Sequence, residues 1–485
     1  MEMKEVEAVV DTVKTWIGNP VSRMILKKIY NGNPESFNKI LKKYADMNVK
    51  LSLSEEIKYQ TIKTVLSIGA KSFGLNEGEL KEAMKNPLIR RAISNILGGI
   101  ATYGVEKPQI TIAPFLVVWN YTRQCNLQCK HCYENASKKP DEDELNTIEA
   151  KRVIDQFEEA GVVAIAFSGG EPLMRKDFYE VSKYAYEREF YISIATNGTL
   201  INYETAMKLK DSGVQYVEIS LDGLEETHDN FRGLKGAWRK SVDGILNCIK
   251  VGLDVGVATT ITRNNIKEIP RLIEILEDIG VKRFIAFNFI PVGRGRNIIN
   301  MDLTPEEREE ILTYLYGKLI QPNCRIQTFS TAPQYSVVSV NFGNGPLMAT
   351  HFSNKSAMEL LRGKARALAE FIGGCGAGRL YCALEPNGDV TPCVFIPIKI
   401  GNIKRDKLID LWRNSPILLK IRDRNEFKGC GQCQYKYICG GCRARAYAYF
   451  NDLQGPDPGC KINIEYWQKI NKLYNEYITM ESGST

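Results

Sequence analysis

Along the first hundred residues apolar side chains return every third or fourth position. From about residue 114 that rhythm gives way to short apolar runs separated by amphipathic stretches. The first part reads as a helical domain over residues 1–108, with two starts of one kind in which Asn caps and Pro fills the first turn, Asn19-Pro20 and Asn86-Pro87. Lys27, Lys28, Arg90 and Arg91 interrupt its stripes, which suits a capping bundle or a face turned to a membrane or partner; the bundle is the reading adopted. In the second part six apolar segments, 115–119, 162–167, 191–195, 216–221, 255–261 and 284–290, each lead into a helical stretch. That alternation predicts an α/β fold of parallel βα units, closing into an open, partial (β/α)6 TIM-like barrel. The first of its helices carries a capping-box pair, Asn146 and Glu149, and lines one face with Ala150, Val153, Ile154 and Phe157. The expected division is a helical extension over 1–108, the barrel over 109–322, a bridge over 323–370, a cysteine-rich domain over 371–462 and a C-terminal helix and tail over 463–485.

Composition narrows the function classes. With 485 residues, 44% of them apolar, the chain can bury several cores, and 64 basic against 57 acidic residues is too mild a balance, without a concentrated patch, to argue for nucleic acid. The N-terminus has neither the basic start nor the apolar core of a signal peptide, and no run reaches the roughly 18 apolar residues of a spanning helix. A cytoplasmic protein is therefore expected. In that compartment 13 cysteines, most of them clustered, read as metal ligands rather than disulfides.

The most informative cluster is Cys125, Cys129 and Cys132, placed directly after the first predicted strand. An electron-carrying 4Fe-4S cluster takes four Cys ligands, so three would leave one iron free for a small molecule. A zinc knuckle is the plainer alternative, but it asks for paired two-residue spacings and a fourth ligand, and His131 lies awkwardly between two of the cysteines. Cys-x3-Cys-x2-Cys followed by an aromatic, here Tyr133, resembles the signature of the radical S-adenosylmethionine (SAM) superfamily. That resemblance implies a cluster whose free iron is chelated by the methionyl amine and carboxylate of SAM, with reductive cleavage to a 5'-deoxyadenosyl radical that takes hydrogen from a substrate.

In a parallel barrel the loops after the strands carry the chemistry. After the second strand stands Ser168-Gly169-Gly170-Glu171-Pro172, two glycines that let backbone approach closely and a carboxylate able to accept from an ammonium. The same run in the family holds the methionyl amine. After the third strand comes Thr196-Asn197-Gly198, and after the fourth Ser220-Leu221-Asp222-Gly223 leads to His228 and Arg232. By resemblance, Ser220 and Arg232 contact the carboxylate and ribose of SAM, and Tyr133, Gly169, Gly170, Glu171 and Asn197 complete its site. His228 is read as a polar residue beside a helix rather than a ligand.

Eight further cysteines crowd the C-terminal region: Cys375, Cys382, Cys393, Cys430, Cys433, Cys439, Cys442 and Cys460. Taken alone, the pairs at 430–442 equally suit a zinc ribbon. The whole pattern, with Gly388 twelve residues beyond Cys375, resembles the SPASM domain, which binds two auxiliary 4Fe-4S clusters. Ligand crossing in that family implies Cys375, Cys382, Cys393 and Cys442 for one cluster and Cys430, Cys433, Cys439 and Cys460 for the other, three clusters in all with the first. One departure is Cys439-Gly-Gly-Cys442, two intervening residues where the family has three. The Gly-rich run 373–378 reads as turn structure around a ligand.

Cys248 and Cys324 remain as idle thiols, with Cys324 also a candidate for the substrate side because it precedes the bridge. Arg294 and Arg296, after the sixth strand, are candidates for binding substrate carboxylates, and His351 for an iron ligand. Trp119-Asn120 and the run Cys439-Gly-Gly-Cys-Arg-Ala-Arg-Ala-Tyr look like the branch that remodels tetrapyrroles in haem biosynthesis, while peptide maturases share most of the skeleton. The expected function is hydrogen abstraction from a carboxylate-rich substrate, a tetrapyrrole side chain, with flavodoxin or ferredoxin as reductant. A peptide or protein maturase and a non-catalytic iron-sulfur carrier are the alternatives.

Overall fold

The computed structural model describes residues 20–30, 34–72, 76–342 and 370–472. Asn19, His351, residues 1–19 and the tail beyond 472 lie outside them. The capping predicted from sequence is present where it can be seen. Asn86 accepts from the Leu88 N–H ahead of the helix Pro87–Tyr103. Asn146 accepts from Ile148 and Glu149 while Glu149 accepts from the Asn146 N–H, starting the helix Thr147–Ala160. The face Ala150, Val153, Ile154 and Phe157 is buried, as its 3.6-residue spacing requires.

The strands are β1 Leu116–Thr122, β2 Ala164–Gly169, β3 Tyr191–Thr196, β4 Tyr216–Ser220, β5 Asp254–Ile261, β6 Arg283–Asn288, β7 Gln327–Ser330, β8 Tyr381–Leu384, β9 Asp389–Thr391 and β10 Gly401–Asn402. They form one sheet in the order β10-β9-β8-β1-β2-β3-β4-β5-β6-β7. Pairing is parallel from β8 through β1 to β7, and the crossovers over β1–β7 run through helices, which pack on the face carrying Val117, Ile165, Ile192, Val217 and Phe284, while the other face turns inward.

Two features extend the six units expected from sequence. β7 lies inside the segment read as a bridge and pairs with β6, Arg283 opposite Gln327. Its four residues are too short and too polar for an apolar run to announce them. β8, from the cysteine-rich region, adds to the other edge of β1, Leu116 opposite Tyr381. The C-terminal region thus shares backbone hydrogen bonds with the barrel.

The N-terminal helices pack as a bundle against the barrel's outer layer. Arg90 is fully buried and pairs with Glu189 at 2.9 Å. Arg91 donates to the carbonyls of Val162 and Arg188, and Asn95 donates to those of Ala113 and Gly161. Two of the four cations that made a membrane or partner face conceivable are therefore spent on internal carbonyls and one carboxylate. No helix among the described residues is long and apolar enough to cross a membrane.

Candidate active site and cysteine centres

A cavity of about 280 Å³ opens at the C-terminal ends of the strands and is lined by Cys125, Cys129 and Cys132 together with Tyr133, Gly169, Gly170, Asn197, Ser220 and Arg232. Eight strands, β1 to β8, and the loops after them supply this wall, which is how the βα repeat brings residues a hundred positions apart to one mouth. The cysteine loop is held by backbone on one side, Cys125 N–H to Ser137 and Lys130 N–H to Phe231, and by Arg294 on the other. Arg294 donates Nε to the Cys129 carbonyl at 2.9 Å and Nη1 to that of Ala136 at 2.7 Å. It clamps the loop with two of its nitrogens while lining the cavity with Nη2 unpartnered among the described residues; Arg296 is exposed and does not line the cavity. Both placements have one cause, a short helix over Gly293–Met301 that folds back onto the loop, the Arg294 N–H donating to the Cys132 carbonyl.

Arg232 lies beside Cys129, its Nη1 3.7 Å from the sulfur, and its Nε donates to Asp222 at 2.6 Å. Asp222 is fully buried, accepts from the Thr260 N–H at 2.8 Å and has His131 Nε2 at 3.7 Å. His131 stacks on Phe231 at 4.1 Å, and burial pulls its pKa down to about 3, so it stays neutral. His228 Nδ1 accepts the Asp222 N–H at 3.0 Å, a positioning role that agrees with the reading from sequence. Asp222 orients Arg232 from the loop between β4 and the helix Glu225–Arg232, a role that its place two residues after Ser220 does not by itself reveal.

Glu171 differs in what it touches. Its Oε1 accepts from Thr196 Oγ1 at 2.7 Å and Oε2 from the Asn197 N–H at 2.9 Å, and it does not line the cavity. The carboxylate thereby pins the loop after β3, and Asn197 in turn donates to Asn126 in the cysteine loop at 2.8 Å. Gly169 and Gly170 bring β2 against the backbone of residues 122–124: a side chain on Gly169, at φ +108°, would sit 2.6 Å from the Thr122 carbonyl. Tyr133 reaches Asn120 and Ser168, both at 3.1 Å, and meets Phe395 of the C-terminal region edge-on at 5.0 Å.

Sequence reasoning missed two sets of acids. Glu134 and Glu385 share Asn120 and Arg123, with Asn120 Nδ2 2.6 Å from Glu134, and burial, then the facing Glu385, pushes Glu134 up to about 8. Glu218 stands on β4 two residues before Ser220, hence on the same face, and lines the cavity; burial raises it to about 7. Period-two spacing from Ser220 would have found it.

The C-terminal cysteines separate into two places. Cys430, Cys433, Cys439 and Cys460 line one cavity of about 90 Å³. Cys375, Cys393 and Cys442 line another of about 20 Å³, which shares Tyr381, Phe395 and Asn288 with the main cavity. Cys382, expected with them, is not there. It is the second residue of β8, so it points to the face opposite Tyr381, into the core with Leu384 and Val390. The spacing between the cysteines does not tell which side of a strand each takes; the start of β8 at Tyr381 does. Cys248 is buried in the barrel's outer core. Cys324 sits before β7, at the far end of the strands from the cavity, donating to the Ile326 carbonyl, which removes it from the substrate side.

These donor sets fit iron-sulfur clusters. Among the described residues no three His, Cys, Asp or Glu side chains close around a point suited to a single metal ion. A cubane asks instead for sulfurs spaced around a void. Burial also holds the thiols up, Cys125 and Cys393 to about 12, so sulfur anions here need neighbouring cations or metal, and buried guanidiniums stand beside both regions.

Comparison with known proteins agrees. Residues 119–276 match the family model of the radical SAM superfamily, and residues 375–434 match that of an iron-sulfur cluster-binding domain, SPASM. The AdoMet-dependent heme synthase of Methanosarcina barkeri is 35% identical over 354 residues, 72% of this chain and 97% of that one. The mycofactocin maturase MftC of Mycobacterium ulcerans is 31% identical over 355 residues, 72% of this chain and 88% of its own. Among solved structures, SuiB of Streptococcus suis bound to S-adenosylmethionine superposes with a TM-score of 0.62 at 18% identity, over 87% of this chain and 92% of that one. The chain belongs to the radical SAM superfamily, in the branch that carries a SPASM domain.

Proposed function

We propose that this enzyme takes hydrogen from a side chain of a carboxylate-rich tetrapyrrole. The carbon radical left behind closes to an alkene by releasing carbon dioxide from the side-chain carboxylate and one electron, which passes to clusters held by the C-terminal cysteines. The observation that carries this is the cavity itself, which runs from the Cys125 loop to the wall shared with Cys375, Cys393 and Cys442, in a chain whose 35% identical relative is a heme synthase. SAM on a reduced cluster supplies the deoxyadenosyl radical when bound. Cys125, Cys129 and Cys132 would hold that cluster, and Cys430, Cys433, Cys439 and Cys460 a second; Cys375, Cys393 and Cys442 would hold a third with one position left to a non-cysteine ligand. Arg232, kept charged by Asp222, would receive the carboxylate of SAM, with the Ser220 hydroxyl beside it in the wall; Asn197, whose amide is held by Asn126 and Thr199, would shape the site, and Gly169 and Gly170 leave the backbone bare. Val118, Ala166, Ala258, Ile285 and Phe287 exclude water from the floor, which protects a carbon radical from quenching.

Flavodoxin or ferredoxin is the proposed reductant, since SAM cleavage requires the low end of the iron-sulfur potential range. The cytoplasm is the proposed compartment; all 13 cysteines are free thiols in this structure. A peptide is the second reading, favoured by the 31% identical maturase. Anaerobic titration with iron coproporphyrin III, named by another relative at 33% identity, decides between them. A shifted Soret band and porphyrin-dependent deoxyadenosine release are expected. No Soret shift, with deoxyadenosine release unaffected by porphyrin, would turn the reading to a peptide.

A further inference from the structure

Two glycines, Gly440 and Gly441, fill the short gap between Cys439 and Cys442, and both have left-handed backbone, φ +70° and +66°. Each is bare because a guanidinium lies against it. A Cβ on Gly440 would fall 2.7 Å from Arg424 Cζ, and one on Gly441 would fall 2.5 Å from Arg443 Nη2 and 2.8 Å from Cys430 Sγ. The departure of this run from the family spacing is therefore a cradle for two arginines.

Neither arginine meets a carboxylate among the described residues. Arg443, 1% exposed, donates to the carbonyls of Gly441, Leu453 and Gly455, lies over the Phe427 ring at 4.2 Å, and places Nη2 3.6 Å from Cys430 Sγ. Arg424, 5% exposed, donates to the carbonyls of Lys436, Tyr437 and Cys375. It stands between the two cysteine sets, its surroundings including Cys375 on one side and Cys439 and Cys430 on the other. The nearby Asp457 carboxylate is taken by the Cys442 N–H and Gln334 at 2.7 Å each and the Gly459 N–H at 3.0 Å, with Arg445 at 3.9 Å. A buried cation without an anion is costly, so the sulfur anions are what balance these two.

The sets are treated unequally. Cys430 receives Arg443 and also Asn463 Nδ2 at 3.4 Å. Among the described residues the other set receives only neutral donors on sulfur, Tyr381 Oη on Cys393 at 3.2 Å and the Arg445 N–H on Cys442 at 3.4 Å. Two further guanidiniums near it are turned elsewhere, Arg379 to the carbonyls of Gln109, Ile372 and Cys375 and Arg445 to Asp302 and Asp457, and Asp457 is bonded at the Cys442 backbone. Cations and donors on cluster sulfurs favour the reduced, more negative state. We propose that Arg443 and Arg424 grade the reduction potentials of the two C-terminal sites, Arg443 raising that of the Cys430 set alone and Arg424 raising both, so that the Cys430 set is the better electron acceptor. This rests on the reading that both sites hold 4Fe-4S clusters.

The test is an EPR-monitored redox titration of the reconstituted full chain, in a Cys125→Ala, Cys129→Ala, Cys132→Ala background that leaves only the C-terminal signals. With Arg443→Gln, one of two signals is expected to need about tenfold more reducing poise, or about 59 mV for one electron, while the other stays. Arg424→Gln should move both in the same direction, and Arg443→Lys, which keeps the charge, should move neither by more than a third as much. Two full clusters with unchanged potentials in both Gln variants overturn the grading, as do equal shifts of both signals in Arg443→Gln. Loss of the same cluster in the Gln and Lys variants alike also overturns it, by making the guanidinium a structural member of the site. Zinc in place of iron in the unsubstituted sites would instead break the cluster reading on which the grading rests.

Discussion

The cysteine loop at the barrel mouth and the C-terminal cysteine sites both set buried arginine beside sulfur, but Arg232 at the mouth has a carboxylate partner, whereas Arg424 and Arg443 have none among the described residues. At the mouth, Arg232 is held at 2.6 Å by Asp222, so its charge is largely spent before it reaches Cys129. At the C-terminal sites, Arg424 and Arg443 have only carbonyls, a ring and sulfur. Low dielectric magnifies that difference, because an unpaired cation there acts at nearly full strength. A paired guanidinium orients a ligand; an unpaired one sets a potential. The mouth needs the first, since a cluster that must reduce SAM gains nothing from stabilising its own reduced state. A terminal acceptor needs the second.

The comparison can be broken at several points. The largest effect is expected from Cys125→Ala, Cys129→Ala, Cys132→Ala: about four of roughly twelve irons per chain lost, together with all dithionite-dependent deoxyadenosine release. Iron and sulfide analysis beside chromatography of the nucleoside checks it, and residual deoxyadenosine would place radical initiation elsewhere. Next comes Asp222→Asn, which strands Arg232 as an unpaired buried cation and should lower stability by about 3–5 kcal/mol. Anaerobic thermal unfolding and SAM affinity both report it; an unchanged affinity would mean Arg232 does not need orienting.

Cys382 sharpens the C-terminal half. Because it points into the core, Cys382→Ala should keep every iron and cost only about 1–2 kcal/mol of packing, whereas Cys393→Ala should lose about four irons. Iron analysis of the pair decides whether β8 carries a ligand. The smallest effect is at Glu218. Its folded pKa, raised by burial from 4.5 to about 7, means the native state binds the proton more tightly than the unfolded chain. Stability from this group is therefore full below about pH 4.5 and is lost as pH rises towards 7, levelling off above it. Glu218→Gln should remove that slope, seen as a smaller loss of melting temperature between pH 5.5 and about 7.5. Parallel slopes in the two proteins would show that Glu218 titrates normally.

Much of this was legible in the order of residues. The six strands, the capping box at Asn146, the cysteine loop and the glycine turn after β2 all depend on local patterns: periodicity, caps and fixed spacings. Glu171 was legible as important but not in what it does, because a carboxylate that binds an ammonium and one that ties down Thr196 and Asn197 look alike in a string. Arg294 and Cys324 went the same way: each stands at a plausible position, and a fold-back or a barrel end decides its partner.

What the sequence by itself determined is the chemistry at hand: how many cysteines, at which spacings, after which strand, in a chain that repeats βα. Only the tertiary structure decided sidedness and pairing. It turned Cys382 into the core through the alternation of β8, attached the C-terminal region to the edge of β1, and gave Arg232 a carboxylate while leaving Arg443 with sulfur. Local patterns are written in neighbouring residues, but charge balance in a buried site is settled by groups hundreds of positions apart, and those meet only when the chain has folded.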